Sequence, residues 1–192
     1  NNNKSQWIDL CFRMLGIKGN HAEEFEKANI KVKAIRLEEN GKNRENMSFP
    51  SFKYKDLANE TWDTSYIHEY FSTTKFLFVV FKSNGETYNL LGAQMWNMPY
   101  RDLEETVKDG WIAIQEKIIT GVSFIKTNNR IKNDLPKKSD NPIIHIRPHA
   151  QKAAFKLKDG YTQGNIQRDA NELPDGQWTV SYTHLTLPTN SL

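Results

Sequence analysis

The segment that most constrains the fold of this chain is residues 75–99, which read KFLFVVFKSNGETYNLLGAQMWNMP. Two runs rich in β-branched and aromatic residues lie on either side of an Asn-Gly pair, a strong signal for the turn of a β-hairpin. The wholly apolar residues 76–81 are far too few to cross a bilayer and are typical of a buried strand. The segment therefore predicts a long antiparallel hairpin that ends before Pro99 and contains one buried strand.

Two elements are predicted before this hairpin. Residues 5–16 carry apolar side chains at helical spacing, with Ser5 as a candidate N-cap and Gly16 just past the end. Residues 29–37 alternate at first and then run apolar, which predicts a strand.

Three more elements are predicted after the hairpin. Residues 101–120 have the apolar spacing of a helix, and residues 141–148 predict a short strand bounded by prolines. Residues 149–160 predict a second helix that stops at Gly160. The order of elements along the chain predicts a mixed α/β or α+β domain.

Size and composition indicate a globular protein of the cell interior. The chain has 192 residues, which suits one domain with a sizeable core. No basic-then-apolar signal segment opens it, and no apolar run is long enough for a membrane span. Cys11, the single cysteine, lies in a helical pattern and is interpreted as a buried, inert thiol. We therefore expect a cytoplasmic protein with no membrane partner.

Basic residues are concentrated in one part of the chain. Residues 125–158 hold nine Lys or Arg and two Asp, a net charge of +7. The remaining chain holds 17 basic and 21 acidic residues, a net charge of −4. Such segregation predicts a surface that faces a polyanion, and a solvated, lysine-rich loop is the alternative that charge alone leaves open.

Both ends of the chain look unlike those of a natural domain. The chain begins Asn-Asn-Asn-Lys without a methionine, so we expect that upstream sequence is missing. Residues 179–192 show no helical or strand period continuous with what precedes them. We therefore interpret residues 1–178 as the domain and residues 179–192 as a non-native tail.

Four stretches together carry a family resemblance: LGIKGNHAEEFEKANIKVKAI, ETWDTSYIHEYFSTTKFLFVVF, PIIHIRPHAQKAA and NELPDGQW. In this order they resemble the MutH and GATC-cutting restriction endonuclease family, across residues 5 to about 178. The likeness is strongest to the second, C-terminal half of the two-domain enzymes of this family. The resemblance implies a restriction-endonuclease-like MutH fold, with a central mixed sheet flanked by helices. In such two-domain enzymes the first half cuts, and the second half binds another copy of the site and promotes cleavage.

The resemblance also locates a degenerate metal site. Family nucleases hold Mg²⁺ through a helix Glu, an Asp and a strand Glu, with a Lys two residues beyond. These positions fall on Phe12, Glu24, Lys31 and Lys33. Only one carboxylate remains, and a cation at about 4 Å costs the metal roughly 4 kcal/mol per unit charge. We therefore expect no metal and no cofactor in this domain, with Mg²⁺ serving the catalytic domain of the parent enzyme.

Other interpretations of this site remain open. Glu23, Glu26 or Glu38 would supply the missing oxygens if the register were shifted. The acidic side chains would otherwise be solvated surface charges. Lys31 and Lys33, two residues apart on a strand, would lie on one face and could hold a phosphate as point charges.

A second candidate DNA contact is the segment IRPHAQKAAFK. It supplies Arg147, His149, Lys152 and Lys156, and the last two would share a face of the helix predicted there. The resemblance implies that this segment lies against DNA, and an ion pair of Arg147 with Asp63 or Asp169 is the structural alternative. His145 lies between Ile144 and Ile146, so its side chain points to the opposite side of the strand from theirs, and we expect a structural histidine and not a ligand.

NELPDGQW resembles the loop with which the family reads GATC in the major groove. Pro174 and Gly176 would shape a tight turn, and Asp175 could accept a hydrogen bond from a cytosine amino group. MutH itself has a basic residue at the Asp175 position, so its base contacts do not transfer directly. A plain surface turn is the alternative.

We therefore interpret the chain as a sequence-specific, GATC-binding effector domain of a type II restriction endonuclease. Its expected partners are double-stranded DNA and a catalytic MutH-like domain upstream in the same chain. One alternative is a Mg²⁺-dependent endonuclease that uses Glu24 and Lys33, and another is a dimerisation module without DNA contacts.

Overall fold

The computed structural model describes residues 4–18, 22–43, 47–48, 52–128, 130–146, 153–180 and 183–185. The described chain forms two compact units. The first contains the residues up to 43 together with Ile67–Tyr100, and the second contains residues 47–66 and those from Arg101 onward.

The helices of the described chain are α1 (Lys4–Met14), α2 (Glu23–Lys27), α3 (Tyr54–Asn59), α4 (Tyr66–Thr73), α5 (Tyr100–Asp102), α6 (Lys108–Thr120) and α7 (Ile166–Asp169). A 3-10 turn covers Trp62–Thr64, and a π-helical segment, Leu103–Val107, joins α5 to α6. The strands are β1 (Ile30–Leu37), β2 (Met47–Ser48), β3 (Lys75–Ser83), β4 (Tyr88–Trp96), β5 (Phe124–Lys126), β6 (Ile131–Asn133), β7 (Ile144–Ile146), β8 (Phe155–Lys156), β9 (Thr162–Gln163), β10 (Asn171–Glu172), β11 (Trp178–Thr179) and β12 (Thr183–Leu185).

The first unit is built on a mixed sheet in the order β1-β3-β4. β1 runs parallel to β3, and β3 pairs antiparallel with β4 in the hairpin that the sequence predicts. The hairpin turn contains Gly85 at φ 96°, and the side-chain oxygen of Asn84 accepts hydrogen bonds from the backbone N–H groups of Glu86 and Thr87. The predicted mixed α/β class, with a mixed sheet and flanking helices, is confirmed.

Helix α1 covers one face of this sheet. Cys11 is fully buried against Val79 and Phe81, and Trp7 meets Phe81 edge-on at 4.9 Å between ring centroids. Burial raises the pKa of the Cys11 thiol to about 11, despite an opposing backbone hydrogen bond. The thiol is therefore protonated at neutral pH, as expected of an inert core cysteine.

The opposite face of the sheet carries an aromatic cluster. The rings of Phe76 and Phe78 stack at 5.9 Å, and the ring of Trp96 lies within 6 Å of both. Phe76 and Phe78 are fully buried. Because cross-strand partners point to the same side of a sheet, the β1 residues beside these two rings share their face.

A side-chain bond aligns the start of β1 with β3. Asn29, which precedes β1, adopts a left-handed conformation at φ 49° that asparagine tolerates better than most residues. Its side-chain amide donates to the Thr73 hydroxyl at 3.2 Å. Its backbone carbonyl accepts from Lys75 N at 3.0 Å. The registration of β1 on β3 therefore begins at this residue.

The second unit packs helices and short strands around one apolar core. Its fully or nearly buried members include Tyr54, Leu57, Ile114, Ile118, Leu135, Ile146 and Leu173. The strands form a sheet in the order β10-β11-β8-β9, a sheet in the order β2-β12-β7, and the β5–β6 hairpin. A Cβ on Gly110 would lie 2.5 Å from Cγ2 of Ile144, so α6 approaches β7 too closely for any side chain there.

Several local predictions hold and one is wrong. The helices at 5–16 and 101–120 and the strand at 29–37 are confirmed, although Ser5 lies inside α1 instead of capping it. The strand predicted at 141–148 is confirmed as Ile144–Ile146, and residues 147 and 148 lie outside the described residues. The helix predicted over residues 149–160 is wrong in its described part. Phe155 and Leu157 are buried and Lys156 is exposed, and this period of two suits strand β8 and not a helix.

The described residues after Trp178 belong to strands and to the core. Thr179 belongs to β11 and is fully buried, and the carbonyl of Val180 accepts a hydrogen bond from the Tyr54 hydroxyl at 2.8 Å. Thr183–Leu185 forms a strand between β2 and β7. The interpretation of residues 179–192 as non-native in origin is a separate matter and stays a prediction.

Among the helices that the structure describes, none has the length and apolar content needed to cross a membrane.

Candidate nucleic-acid interface

Lys31 and Lys33 lie in β1 on the same face of the mixed sheet. Their cross-strand partners in β3 are Phe76 and Phe78. Lys31 is exposed, and Lys33 is half-buried and has interactions of its own within the protein. The predicted strand placement of this lysine pair is confirmed, and the aromatic cluster lies beside it on the same face.

The other two positions of the predicted degenerate metal site lie on helices. Phe12 is buried in α1, with 8% of its surface exposed, and its ring offers no ligand atom. Glu24 is exposed in α2, the short helix that leads into β1. The four positions carry one carboxylate, one phenyl ring and two ammonium groups, and α1, which carries Phe12, covers the sheet face opposite the one that Lys31 and Lys33 share. The degenerate metal site stays a prediction.

The carboxylates that a shifted register would bring to the metal site already interact with other groups of the protein. Glu23 forms an ion pair with Lys27 at 2.8 Å on the surface of α2, and both Glu26 and Glu38 have interactions within the protein. Across the described ranges, no group of three His, Cys, Asp or Glu side chains has the geometry of a metal site.

Most of the predicted basic segment cannot be placed. Arg147, His149 and Lys152 lie outside the described residues. Lys156 is exposed in β8, so its predicted placement with Lys152 on one helical face is wrong, because no helix forms at this position.

The structural alternatives for this segment are partly resolved. His145 is buried in β7, with 4% of its surface exposed and contacts of its own, as expected of a structural histidine. Asp169, one candidate partner of Arg147, lies 2.8 Å from Arg168. Asp63, the other candidate, is exposed.

NELPDGQW forms the β10–β11 hairpin. Gly176 N donates to the carbonyl of Leu173 at 3.0 Å, and Leu173 N donates to that of Gln177 at 2.7 Å. Gly176 has φ 83°, which explains the need for glycine there. The predicted tight turn is confirmed, and both Pro174 and Gly176 are exposed on it.

The carboxylate of Asp175 is directed into its own hairpin. Oδ1 accepts from Gln177 N at 3.1 Å, and Oδ2 accepts from Gln177 Nε2 at 2.9 Å and lies 3.2 Å from Lys158 Nζ. The buried amide of Gln177 also donates to the carbonyl of Val122 at 2.8 Å. These bonds show Asp175 engaged within its own turn, and its contact with cytosine stays a prediction.

Sequence reasoning did not single out the β5–β6 hairpin, which carries part of the basic run. Ile125 pairs with Lys132 and Lys126 with Ile131, and Thr127 N donates to the Arg130 carbonyl at 2.9 Å across the turn. The segment FIKTNNRIKN could have revealed it, because two short β-prone runs flank an Asn-Asn pair.

Asp134 anchors the base of this hairpin. It accepts from Ser123 N at 2.8 Å and pairs with Lys117 of α6 at 2.6 Å. Burial acts to raise the pKa of Asp134, but the hydrogen bonds from Lys117 and Ser123 outweigh it and hold the pKa below its ordinary value. The carboxylate therefore stays charged at neutral pH and ties β6 to α6.

Comparison with known proteins gives one relationship. No protein-family model matches the chain. An alignment of 148 positions, which covers 70% of this chain, shows 34% identity to the type II restriction enzyme Sau3AI of Staphylococcus aureus. The match spans 30% of that enzyme's length. The chain is therefore a relative of the type II restriction enzymes, similar to one segment of such an enzyme.

Proposed function

We propose that this chain is a duplex-DNA-binding module of a type II restriction enzyme, which holds a GATC site without cutting it. The observation that carries the proposal is Lys31 in β1, at the position where the family resemblance expects a metal-binding carboxylate. Lys33 lies on the same face, two residues along. The sequence relationship to a type II restriction enzyme supports DNA as the ligand.

Electrostatics explains why this substitution favours holding over cutting. At about 4 Å and an effective dielectric constant of 20, an ammonium opposes each unit of metal charge by roughly 4 kcal/mol, and a divalent ion doubles that. The same ammonium attracts a phosphate, and each phosphate that a lysine neutralises releases counterions from the DNA. Exposed Lys31 is therefore suited to a backbone phosphate at the position where a nuclease would have its metal.

The effector role and the GATC preference rest on the resemblance. The relative is more than three times as long as its matched segment, which leaves room in such an enzyme for a separate cutting domain. We assign Mg²⁺ and cleavage to a catalytic MutH-like domain upstream in the same longer chain. The exposed β10–β11 turn, with Pro174 and Gly176, would approach the bases. A cytoplasmic location belongs to the same proposal.

Fluorescence anisotropy with a GATC duplex and a permuted duplex, over a salt series with Mg²⁺ present, tests this function. We expect tighter binding to GATC and intact DNA on a gel afterwards. Equal, weak binding to both duplexes would contradict the specificity. Mg²⁺-dependent nicking that disappears in Glu24→Ala would instead establish the endonuclease alternative.

Charge reversal tests the role of β1. We expect Lys31→Glu/Lys33→Glu to lower the slope of log affinity against log salt by about 1.8, from two lost phosphate contacts. Because Lys33 is half-buried, Lys31→Glu alone is measured beside it, with an expected change of about 0.9. Lys75→Glu/Lys82→Glu is the matched control, since both lysines are exposed on neighbouring β3. An unchanged affinity in the β1 variants would exclude a phosphate at this face.

A further inference from the structure

The β5–β6 hairpin presents two different faces, since side chains alternate along each strand. On the inner face, Phe124 packs against the core of the second unit, and Lys126 Nζ lies 3.7 Å from the centroid of the Tyr161 ring. On the outer face, Ile125 is 64% exposed and lies beside its cross-strand partner Lys132. Arg130 lies just before β6, and the hydrogen bond from Thr127 N to its carbonyl continues the strand pairing, so alternation puts Arg130 on the side of Lys132.

The side chains of Arg130 and Lys132 on the outer face differ from nearby lysines in their ion pairing. Lys117 forms an ion pair with Asp134 at 2.6 Å, and Lys158 forms one with Asp175 at 3.2 Å. Arg130 and Lys132 are exposed, and within the described chain neither forms an ion pair. Like charges at adjacent positions repel one another, so an anion that lies against both would stabilise the pair.

Two open grooves adjoin the outer face, and Arg130 and Lys132 line both of them. One, of about 670 Å³, also contains Thr127 and Asn128. The other, of about 780 Å³, extends over exposed Ile125 to Lys137. Both depressions therefore share Arg130 and Lys132. Asp134 also lines the larger one, and its negative charge is paired with Lys117 at 2.6 Å.

From this geometry we propose that the outer face of the β5–β6 hairpin is a second DNA contact, at which Arg130 and Lys132 bind successive phosphates of one strand of a duplex. Arg130 immediately precedes β6 and Lys132 lies within it. Residues two apart in extended chain are separated by roughly 7 Å, which is comparable with the separation of neighbouring phosphates along a DNA strand. The contact is to the backbone and carries no sequence preference. This inference rests on the proposed DNA-binding function and adds a site to it.

A duplex suits this surface better than a single strand. Single-strand sites stack successive bases on exposed aromatic rings. Tyr161, the aromatic ring beside this hairpin, is covered by Lys126 on the inner face, and the outer face carries Ile125 instead. An acidic protein is the other polyanion that the charges would attract, and the experiment separates it.

The test is the affinity of Arg130→Ala/Lys132→Ala for a GATC duplex, a permuted duplex and poly-glutamate. We expect the salt slope to fall by about 1.8 and the affinity at 0.1 M salt to fall by roughly 60-fold, equally for both duplexes. Lys53→Ala/Lys82→Ala removes the same charge from two exposed positions elsewhere and is expected to change affinity by less than about threefold. Both replaced side chains are exposed, and thermal denaturation of each variant checks that the fold is retained.

Each other outcome overturns the proposal in a distinguishable way. A wild-type protein that binds neither duplex would refute the proposed function, and this inference with it. A wild-type protein that binds, with an unaffected Arg130→Ala/Lys132→Ala variant, would refute the inference alone. Loss confined to the GATC duplex would mean that the hairpin reads bases. Equal loss in the control, or loss confined to poly-glutamate, would exclude a specific phosphate contact here.

Discussion

Replacement of Asp175 by alanine distinguishes a carboxylate that shapes its own hairpin from one that reads a base. Both carboxylate oxygens are occupied, by the backbone N–H and side-chain amide of Gln177 and by the ammonium of Lys158. Alanine removes these acceptors and leaves the hydrogen bonds between backbone atoms of the turn intact. The loss therefore falls on Gln177, which is only 4% exposed.

The magnitude follows from these contacts. A hydrogen bond to a charged group contributes about 1.5–3 kcal/mol, and loss of the acceptor leaves a buried donor without its partner. The Lys158 pair adds little, because its lysine side chain is 66% exposed and surface ion pairs contribute about 0–1 kcal/mol. Gln177 Nε2 keeps its bond to the Val122 carbonyl. We expect Asp175→Ala to destabilise the protein by roughly 2 kcal/mol, which lowers Tm by about 4–8 °C in a chain of this size.

The assay combines thermal denaturation with duplex binding. Asp63→Ala is the matched control, because Asp63 is exposed and its removal is expected to change stability by less than about 0.5 kcal/mol. A carboxylate that shapes its own hairpin predicts a lower Tm for Asp175→Ala, with affinity for the GATC and permuted duplexes changed by the same factor. An unchanged Tm together with selective loss of GATC binding would refute it, since the carboxylate would then read a base.

Two further predictions concern stability. Tyr54→Phe leaves the buried Val180 carbonyl without its donor, and we expect a loss of about 1–3 kcal/mol in urea denaturation; no loss would mean that Val180 does not pack as described. For Asp134, the lowered pKa means that its pair with Lys117 stabilises the fold at neutral pH, and that this contribution disappears as pH falls through the folded-state pKa. Asp134→Asn should therefore lower Tm at pH 7 and converge with wild type in acid, and a constant difference at all pH values would contradict the assignment.

The two proposed phosphate-binding sites, on β1 and on the β5–β6 hairpin, rest on different observations. Lys31 stands where the family resemblance expects a carboxylate, so its role follows from a substitution that the sequence already displays. Arg130 and Lys132 lie outside the stretches that carry the resemblance, and their role follows from their exposure and from the ion pairs that their neighbours form. The two charge variants are therefore independent tests of one binding function.

The sequence by itself determined the elements whose signals are local. The Asn-Gly hairpin, the strand that carries Lys31 and Lys33, and the turn at Gly176 all follow from residue types that favour one backbone conformation. The β5–β6 hairpin had a comparable signal, the Asn-Asn pair, which went unused.

Only the tertiary structure decided which strands pair and which charges are already engaged. The parallel pairing of β1 with β3 joins segments about 45 residues apart in the chain, and β8 forms a strand because Phe155 finds buried neighbours in its sheet. The sequence shows nine cations between residues 125 and 158 as equivalent, whereas folding pairs Lys158 with Asp175 and leaves Arg130 exposed. The physical reason is that pairing, burial and ion-pair partners depend on residues distant in the chain, which local pattern does not bring together.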